Sequence, residues 1–221
     1  MPQNIHKRYG AYLPHWTKPG GIYAVNFRLG DSVPQKQLEQ WRGERDDIVK
    51  TAKALKRELA PRERLRLMQL HTESIEQYLR SGRGVCWLKR EDIAEVVADA
   101  LRHFEGERYR LFAWCIMPNH VHVDVQPLGT HTLPSILQSW KGFSAWRANK
   151  LLDRTGPFWL PEYYDHLIRN ADDLRYRMEY TWSNPELAGF HGWKWRWKME
   201  ERTLNAFLQS PESPWHEPEG S

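Results

Sequence analysis

The 221-residue chain predicts an α+β fold in which an antiparallel sheet carries helices on one or both faces. Three observations lead there. Residues 22–29, "IYAVNFRL", alternate and are rich in β-branched and aromatic types, as in a strand. Two apolar runs, 109–117 and 121–126, are separated by Pro118-Asn119, a tight-turn pair that makes them a hairpin. Helical spacing of apolar residues recurs in the segments around them.

In chain order, the first strand follows the Pro-Gly-Gly breaker at 19–21. From Pro34 to about Leu79 the composition turns to Glu, Lys, Arg, Leu and Gln, interrupted at Pro61, which predicts two or three helices with solvated faces. This is a helical insertion, more a structural addition than a nucleic-acid reader. After the turn "SGRG", residues 89–104 set Ile93, Val96, Val97, Ala100, Leu101 and Phe104 on one face of a helix that packs on the sheet. The hairpin comes next. Residues 132–152 then read as an amphipathic helix, and 155–168 as a loop with a short extended piece. In the last helix Asn170 caps, Asp172 and Asp173 suit the positive end, and Pro185 stops it. One domain is expected over 1–205, and the Pro-, Ser- and Glu-rich tail 206–221 is expected to be disordered.

Charge and cysteine usage narrow the function classes. Lys and Arg number 32 against 28 Asp and Glu, so the net charge of +4 favours polyanions only mildly. Twelve Trp, nine Tyr and seven Phe supply flat side chains either for a core or for stacking on bases. Cys86 and Cys115 stand far apart among apolar residues, which excludes a disulfide framework and a Cys-based metal knuckle. Neither a signal peptide nor a membrane-length apolar run is seen, so a soluble cytoplasmic protein without membrane contact is expected.

Chemistry concentrates in "CIMPNHVHVDVQP", residues 115–127. Strand residues alternate faces, so His120 and His122 project together and can converge on one ion, with Val121 and Val123 opposite. Spacing alone also allows a satisfied pair of core histidines. A histidine-triad hydrolase needs a third histidine where Asp124 stands, and a phosphodiesterase with two His-x-Ser/Thr motifs finds none in this chain. A non-haem iron site remains open, with "HVD" supplying His122 and Asp124 and His166 as third ligand. In the last helix Tyr176, Tyr180 and Asn184 follow one another at i+4, on a face apart from Leu174, Met178 and Thr181. That stripe reads either as a helix rim with hydroxyls in water or as part of a site.

In combination, "MPNHVHV", "DHLIRN", "YTWSNP" and "AGF" resemble the HUH single-tyrosine transposases, especially the REP-associated tyrosine transposases of bacteria. The likeness extends to "YLPHWTKPGGIYAVNFRL" and "GERYRLFAWCIMPNHVHV" and covers roughly Arg8 to Phe190. It implies the HUH nuclease architecture, a ferredoxin-like or RRM-like antiparallel sheet with the metal site on the central hairpin. It further implies that His120 and His122 bind Mg2+ or Mn2+, that Tyr180 is the nucleophile, and that Asn184 completes the metal site. His166 and Arg169 lie in its "DHLIRN" segment without an assigned role. The expected activity is cleavage and rejoining of single-stranded, hairpin-forming REP-like DNA through a 5′-phosphotyrosine, in a bacterial, nucleoid-associated monomer or homodimer. The chain departs from the pattern at Leu160, where relatives often carry Gln, in "NPELAGF" for the commoner "NPVKAG", and at Asp124, where an apolar residue is usual.

For DNA contact the sequence offers Arg147, Lys150 and Arg154, and the run "WKWRWK" with Lys194 and Arg196. Alternation of Trp193, Trp195 and Trp197 fits equally a strand with one buried face. A non-catalytic nucleic-acid-binding module of the same fold is the competing reading.

Overall fold

β-Branched and aromatic residues over Tyr23–Arg28 (β3), Tyr109–Ile116 (β4) and His120–Pro127 (β5) form the centre of a five-stranded sheet. A computed structural model describes residues 6–9, 14–30, 32–33, 35–60, 62–63 and 84–216. Before the sheet, His6–Tyr9 (β1) and Pro14–Thr17 (β2) pair antiparallel, two strands that the sequence reading did not anticipate. After β3 comes Gln35–Ala54 (α1), within the expected helical insertion, and residues 64–83 lie outside the described set. Glu91–Arg102 (α2) precedes the β4–β5 hairpin, and Leu133–Leu151 (α3) follows it. Tyr164–Leu167 (β6), Ala171–Leu187 (α4), Arg196–Lys198 (β7) and Glu201–Leu208 (α5) complete the chain.

Strand order is β6-β3-β5-β4-β7, antiparallel throughout, so β5 is central. Seven of its eight residues are buried because helices cover both sheet faces. On one face Val121, Val123 and Val125 join Tyr23, Val25, Phe27 and Trp114 beneath α2 and α3. On the other, Ile22, Phe112 and Ala113 meet Leu174 and Met178 of α4 and Leu204 and Phe207 of α5. A bulge in β4 between Leu111 and Ala113 puts Phe112 and Ala113 on the same side, where strict alternation would separate them.

Local chemistry sets the helix ends. Thr132 and Ser135 form a reciprocal capping box at the start of α3. Asn170 accepts from the Asp173 N–H (2.8 Å) at the start of α4, as its sequence suggested. Pro185, expected to stop that helix, instead sits buried in its last turn; the helix runs to Leu187, and Gly189 at φ +80° turns the chain away.

The tail departs from its expected disorder over 206–216. Phe207 packs edge-on to Phe112 (5.0 Å), Arg110 pairs with Glu212 (2.5 Å), and the Gln126 side chain donates to the Glu212 carbonyl (3.2 Å). Buried anchors here outweigh a composition that by itself favours solvation; residues 217–221 lie outside the described set.

Gly21, at the entrance to β3, is held by close approach: a Cβ there would meet Leu167 Cδ1 at 2.9 Å and the Lys18 carbonyl and Tyr23 hydroxyl at 3.0 Å. Gly21→Ala is therefore expected to destabilise the fold by about 1–3 kcal/mol, read as a lower urea midpoint with unchanged slope; an unshifted midpoint would show that the turn has room.

Candidate metal and nucleophile site

The register of β5 places His120, His122, Asp124 and Gln126 on the face covered by α4. His122 pairs with Asn26 on one side and Cys115 on the other, and both histidines are essentially buried (0% and 5% exposed). Their Nε2 atoms are 2.9 Å apart, with the rings nearly perpendicular. His120 Nδ1 lies 2.7 Å from Asn119 Oδ1. A carbonyl oxygen only accepts, so Nδ1 carries the proton and His120 Nε2 presents a lone pair toward its neighbour. Asn119 thus orients a ring that it does not touch at the reactive end. Sequence reasoning took Asn119 only for a turn residue; a polar residue immediately before the pair was the signal to weigh.

Helix α4 brings the other groups. The Tyr180 ring is 6.0 Å from the His122 ring, centroid to centroid, and edge-on to it. Across the sheet, Cys115 pairs with both His122 and Arg196. Arg196 in turn donates to the Trp182 carbonyl (2.9 Å) and pairs with Glu186, so it reaches both sides of Asn184. Asn184 is fully buried, and neither its amide oxygen nor its nitrogen has a hydrogen-bond partner. An orphaned amide costs about 1–3 kcal/mol, a cost that a ligand can offset. Two nitrogens 2.9 Å apart subtend about a right angle at a bond length of ~2.1 Å. The donor set of two imidazoles and an amide oxygen therefore fits a small divalent cation.

Asp124 stands apart. Among the described residues no three His, Cys, Asp or Glu side chains come together as a metal cluster, which removes the His122, Asp124 and His166 iron set left open by the sequence. The Asp124 carboxyl is 1% exposed and neither oxygen has a partner in hydrogen-bonding geometry. Burial pushes it up to about 7, opposed by the nearby Thr181 hydroxyl and the Arg177 guanidinium. Thr181 and Arg177 were not anticipated as neighbours of this strand.

His166 shares a cross-strand row with Asp124 through Ala24, but its Nε2 turns to Asp173 Oδ2 (3.2 Å) at the start of α4. Burial, with Arg177 nearby, depresses its pKa. Burial pulls the Asp173 carboxyl upward, yet the Arg169 N–H (3.1 Å), His166 and Arg177 together hold it below the usual range. Arg169 thus contributes through its backbone, and its side chain is exposed. Tyr176, one turn before Tyr180, is 63% exposed with the Arg177 guanidinium 5.7 Å from its ring.

The cations named from sequence do not gather here. Arg147 and Lys150 are exposed on α3, across the sheet from the histidines, and Arg154 just beyond donates to the Pro157 carbonyl (3.3 Å). Lys194 pairs with Glu91 (2.8 Å), while Arg196 stacks 4.1 Å over the Trp182 ring and pairs with Glu186. In "WKWRWK" the alternation holds only in part: Trp197 is 39% exposed, whereas Trp195 packs at the edge of the core and Trp193 donates to the Ile116 carbonyl (2.8 Å). A three-residue edge strand buries too little to seat all three rings.

Among the described residues no helix is long and apolar enough to cross a membrane. No protein-family model matches the chain, and no curated protein does. Solved structures similar to it include two that share most of its length. One is a REP-associated tyrosine transposase bound to a REP hairpin, at a TM-score of 0.45 and 16% identity, covering 96% of this chain and 94% of that one. The other is a Deinococcus radiodurans R1 protein described as a transposase, at a TM-score of 0.30 and 12% identity, covering 79% of this chain and 95% of that one.

Proposed function

We propose that this protein is a metal-dependent enzyme that nicks and rejoins single-stranded, hairpin-forming DNA through a 5′-phosphotyrosine, with Tyr180 as nucleophile. The observation that supports this reading is the meeting of His120, His122 and the Tyr180 ring beneath a helix that also buries the unpartnered Asn184 amide. A structural core has no use for that combination, since each unmet polar atom weakens it.

His120, His122 and Asn184 would hold the ion, Mg2+ or Mn2+, which when bound supplies positive charge to the non-bridging phosphate oxygens as negative charge develops on them. Imidazole ligands favour Mn2+ over Mg2+. The chain's own groups do the rest. Tyr180 Oη forms a bond to phosphorus and the P–O3′ bond breaks; the phenol proton passes to solvent and the departing 3′ oxygen gains one. Bond energy is kept in the phosphotyrosine ester, so a 3′-hydroxyl can later attack it and restore both the diester and the phenol. Asn119 holds His120 in the tautomer whose Nε2 carries the lone pair that a metal ligand needs. Hairpin-forming repeats are the proposed substrate class, and the active unit is a monomer or a homodimer.

A non-catalytic nucleic-acid-binding module is the second reading, favoured by one observation: Arg147 and Lys150, the exposed cations of α3, lie across the sheet from the histidines.

Incubation with hairpin-bearing single strands and Mn2+, followed by a denaturing gel, should show a covalent protein-DNA band. Tyr180→Phe should abolish it and leave hairpin affinity within about fivefold, since one hydroxyl contributes ~1 kcal/mol or less to binding; Tyr176→Phe should retain it. Adduct formed by the Tyr180→Phe variant would overturn the nucleophile assignment, and its absence from the wild type would favour the binding module.

Metal binding can be read without DNA. Mn2+ at a hundredfold excess over its Kd should stabilise the fold by about 2.7 kcal/mol, reversibly with EDTA. His120→Ala and Asn184→Leu should each lose that shift, and Asn184→Leu should be no less stable than wild type without metal, because it removes an orphaned amide. An undiminished shift in Asn184→Leu would remove Asn184 from the ligand set.

A further inference from the structure

Helix α3 carries a glycine that packing within the chain does not explain. Gly142 lies mid-helix, where glycine is less favourable than alanine, yet a Cβ there would meet nothing within 4 Å. Gly142 and Ala145 form the floor of a cavity of about 440 Å³ between α3 and the 156–163 segment. Pro157, Phe158, Trp159 and Tyr163 are among its walls. Lys141 closes one end, its ammonium donating to the Leu160 and Pro161 carbonyls (2.6 and 2.7 Å), with a third N–H left over. The size suits a nucleoside.

Beside the groove, and outside its lining, α3 exposes flat and cationic side chains. Trp146, one turn beyond Gly142 on the same side, is 61% exposed, and neighbouring Phe143 is 48% exposed. Arg147 sits 5.8 Å from the Trp146 ring, and Lys150 follows one turn later. Among the described residues these two cations have no ion-pair partner, whereas Arg110, Arg175, Lys194, Arg196 and Lys198 each face a carboxylate. Unpaired charge beside exposed aromatic rings is complementary to a phosphate backbone bearing unstacked bases. An apolar peptide would leave both cations without a counter-charge.

We propose that the groove between α3 and residues 156–163 binds an unpaired nucleotide, its base lying over Gly142 and against Trp146 and its flanking phosphates at Arg147 and Lys150. Resting on the nucleic-acid reading above, this makes the α3 face a second contact point, across the sheet from the histidines, for a stretch of strand other than the one at Tyr180.

The test uses the full chain in EDTA and a fluorescein-labelled single-stranded oligothymidylate, followed by anisotropy. Gly142→Leu fills the groove while improving helix propensity, so it should raise Tm and weaken binding; Trp146→Ala should weaken it by about tenfold, the scale of one lost base stack. Arg147→Gln with Lys150→Gln should reduce the salt slope of log affinity by about 1.4, ~0.7 per phosphate contact on a single strand. Unchanged affinity in both Gly142→Leu and Trp146→Ala, or an unchanged slope, overturns the groove, as does a wild-type protein that does not bind the probe. The metal-dependent adduct of the wild type is scored separately, so the groove can fail while the strand-transfer reading stands, and the reverse.

Discussion

The pairing register of β5 is the constraint on which everything else depends. Helices cover both faces of the strand, so alternation sends Val121, Val123 and Val125 to one core and His120, His122, Asp124 and Gln126 to the other. A slip of one residue would drive two imidazoles, a carboxylate and an amide into the layer built by Leu101, Trp140 and Phe27, and expel three valines. The same alternation that stabilises the sheet therefore aims both histidines at α4. Pairing with β3 and β4 on either side makes that arrangement stiff.

Helix α4 is stabilised where it is conventional and unsatisfied where it is not. Asn170 and Asp173 secure its start, while Leu174 and Met178 seat it on Phe112 and Ala113. Further along, Asn184 is buried without a hydrogen-bond partner, as is Asp124 on the strand β5 that the helix covers. Such atoms cost stability in a closed core. Protonation lessens the cost for Asp124, whose carboxyl burial pushes up to about 7. For the neutral amide of Asn184 no such relief exists.

Charge is arranged to keep the cations around this face occupied. Arg196, Lys198 and Arg177 are each paired with an acid, Glu186, Glu179 and Asp173. These bind β7 to α4 and secure the start of α4, a structural role that leaves less positive potential for a substrate. Arg147 and Lys150 of α3, a helix whose apolar side is committed to the opposite core, face no such acid among the described residues.

Local pattern alone determined the β3 strand, the β4–β5 hairpin and helices α2, α3 and α4, because period, caps and turn residues are short-range signals. It also determined that His120 and His122 share a face, and that Tyr176, Tyr180 and Asn184 form a stripe. Which member of that stripe meets the histidines is a matter of how α4 lies across the sheet: Tyr180 reaches His122, Tyr176 stays in solvent, and Asn184 goes under. Tertiary packing likewise withdrew Lys194 and Arg196 into ion pairs and set residues 206–216 against the sheet. Each of these outcomes depends on contacts between residues far apart in the chain, and no local window of sequence contains them.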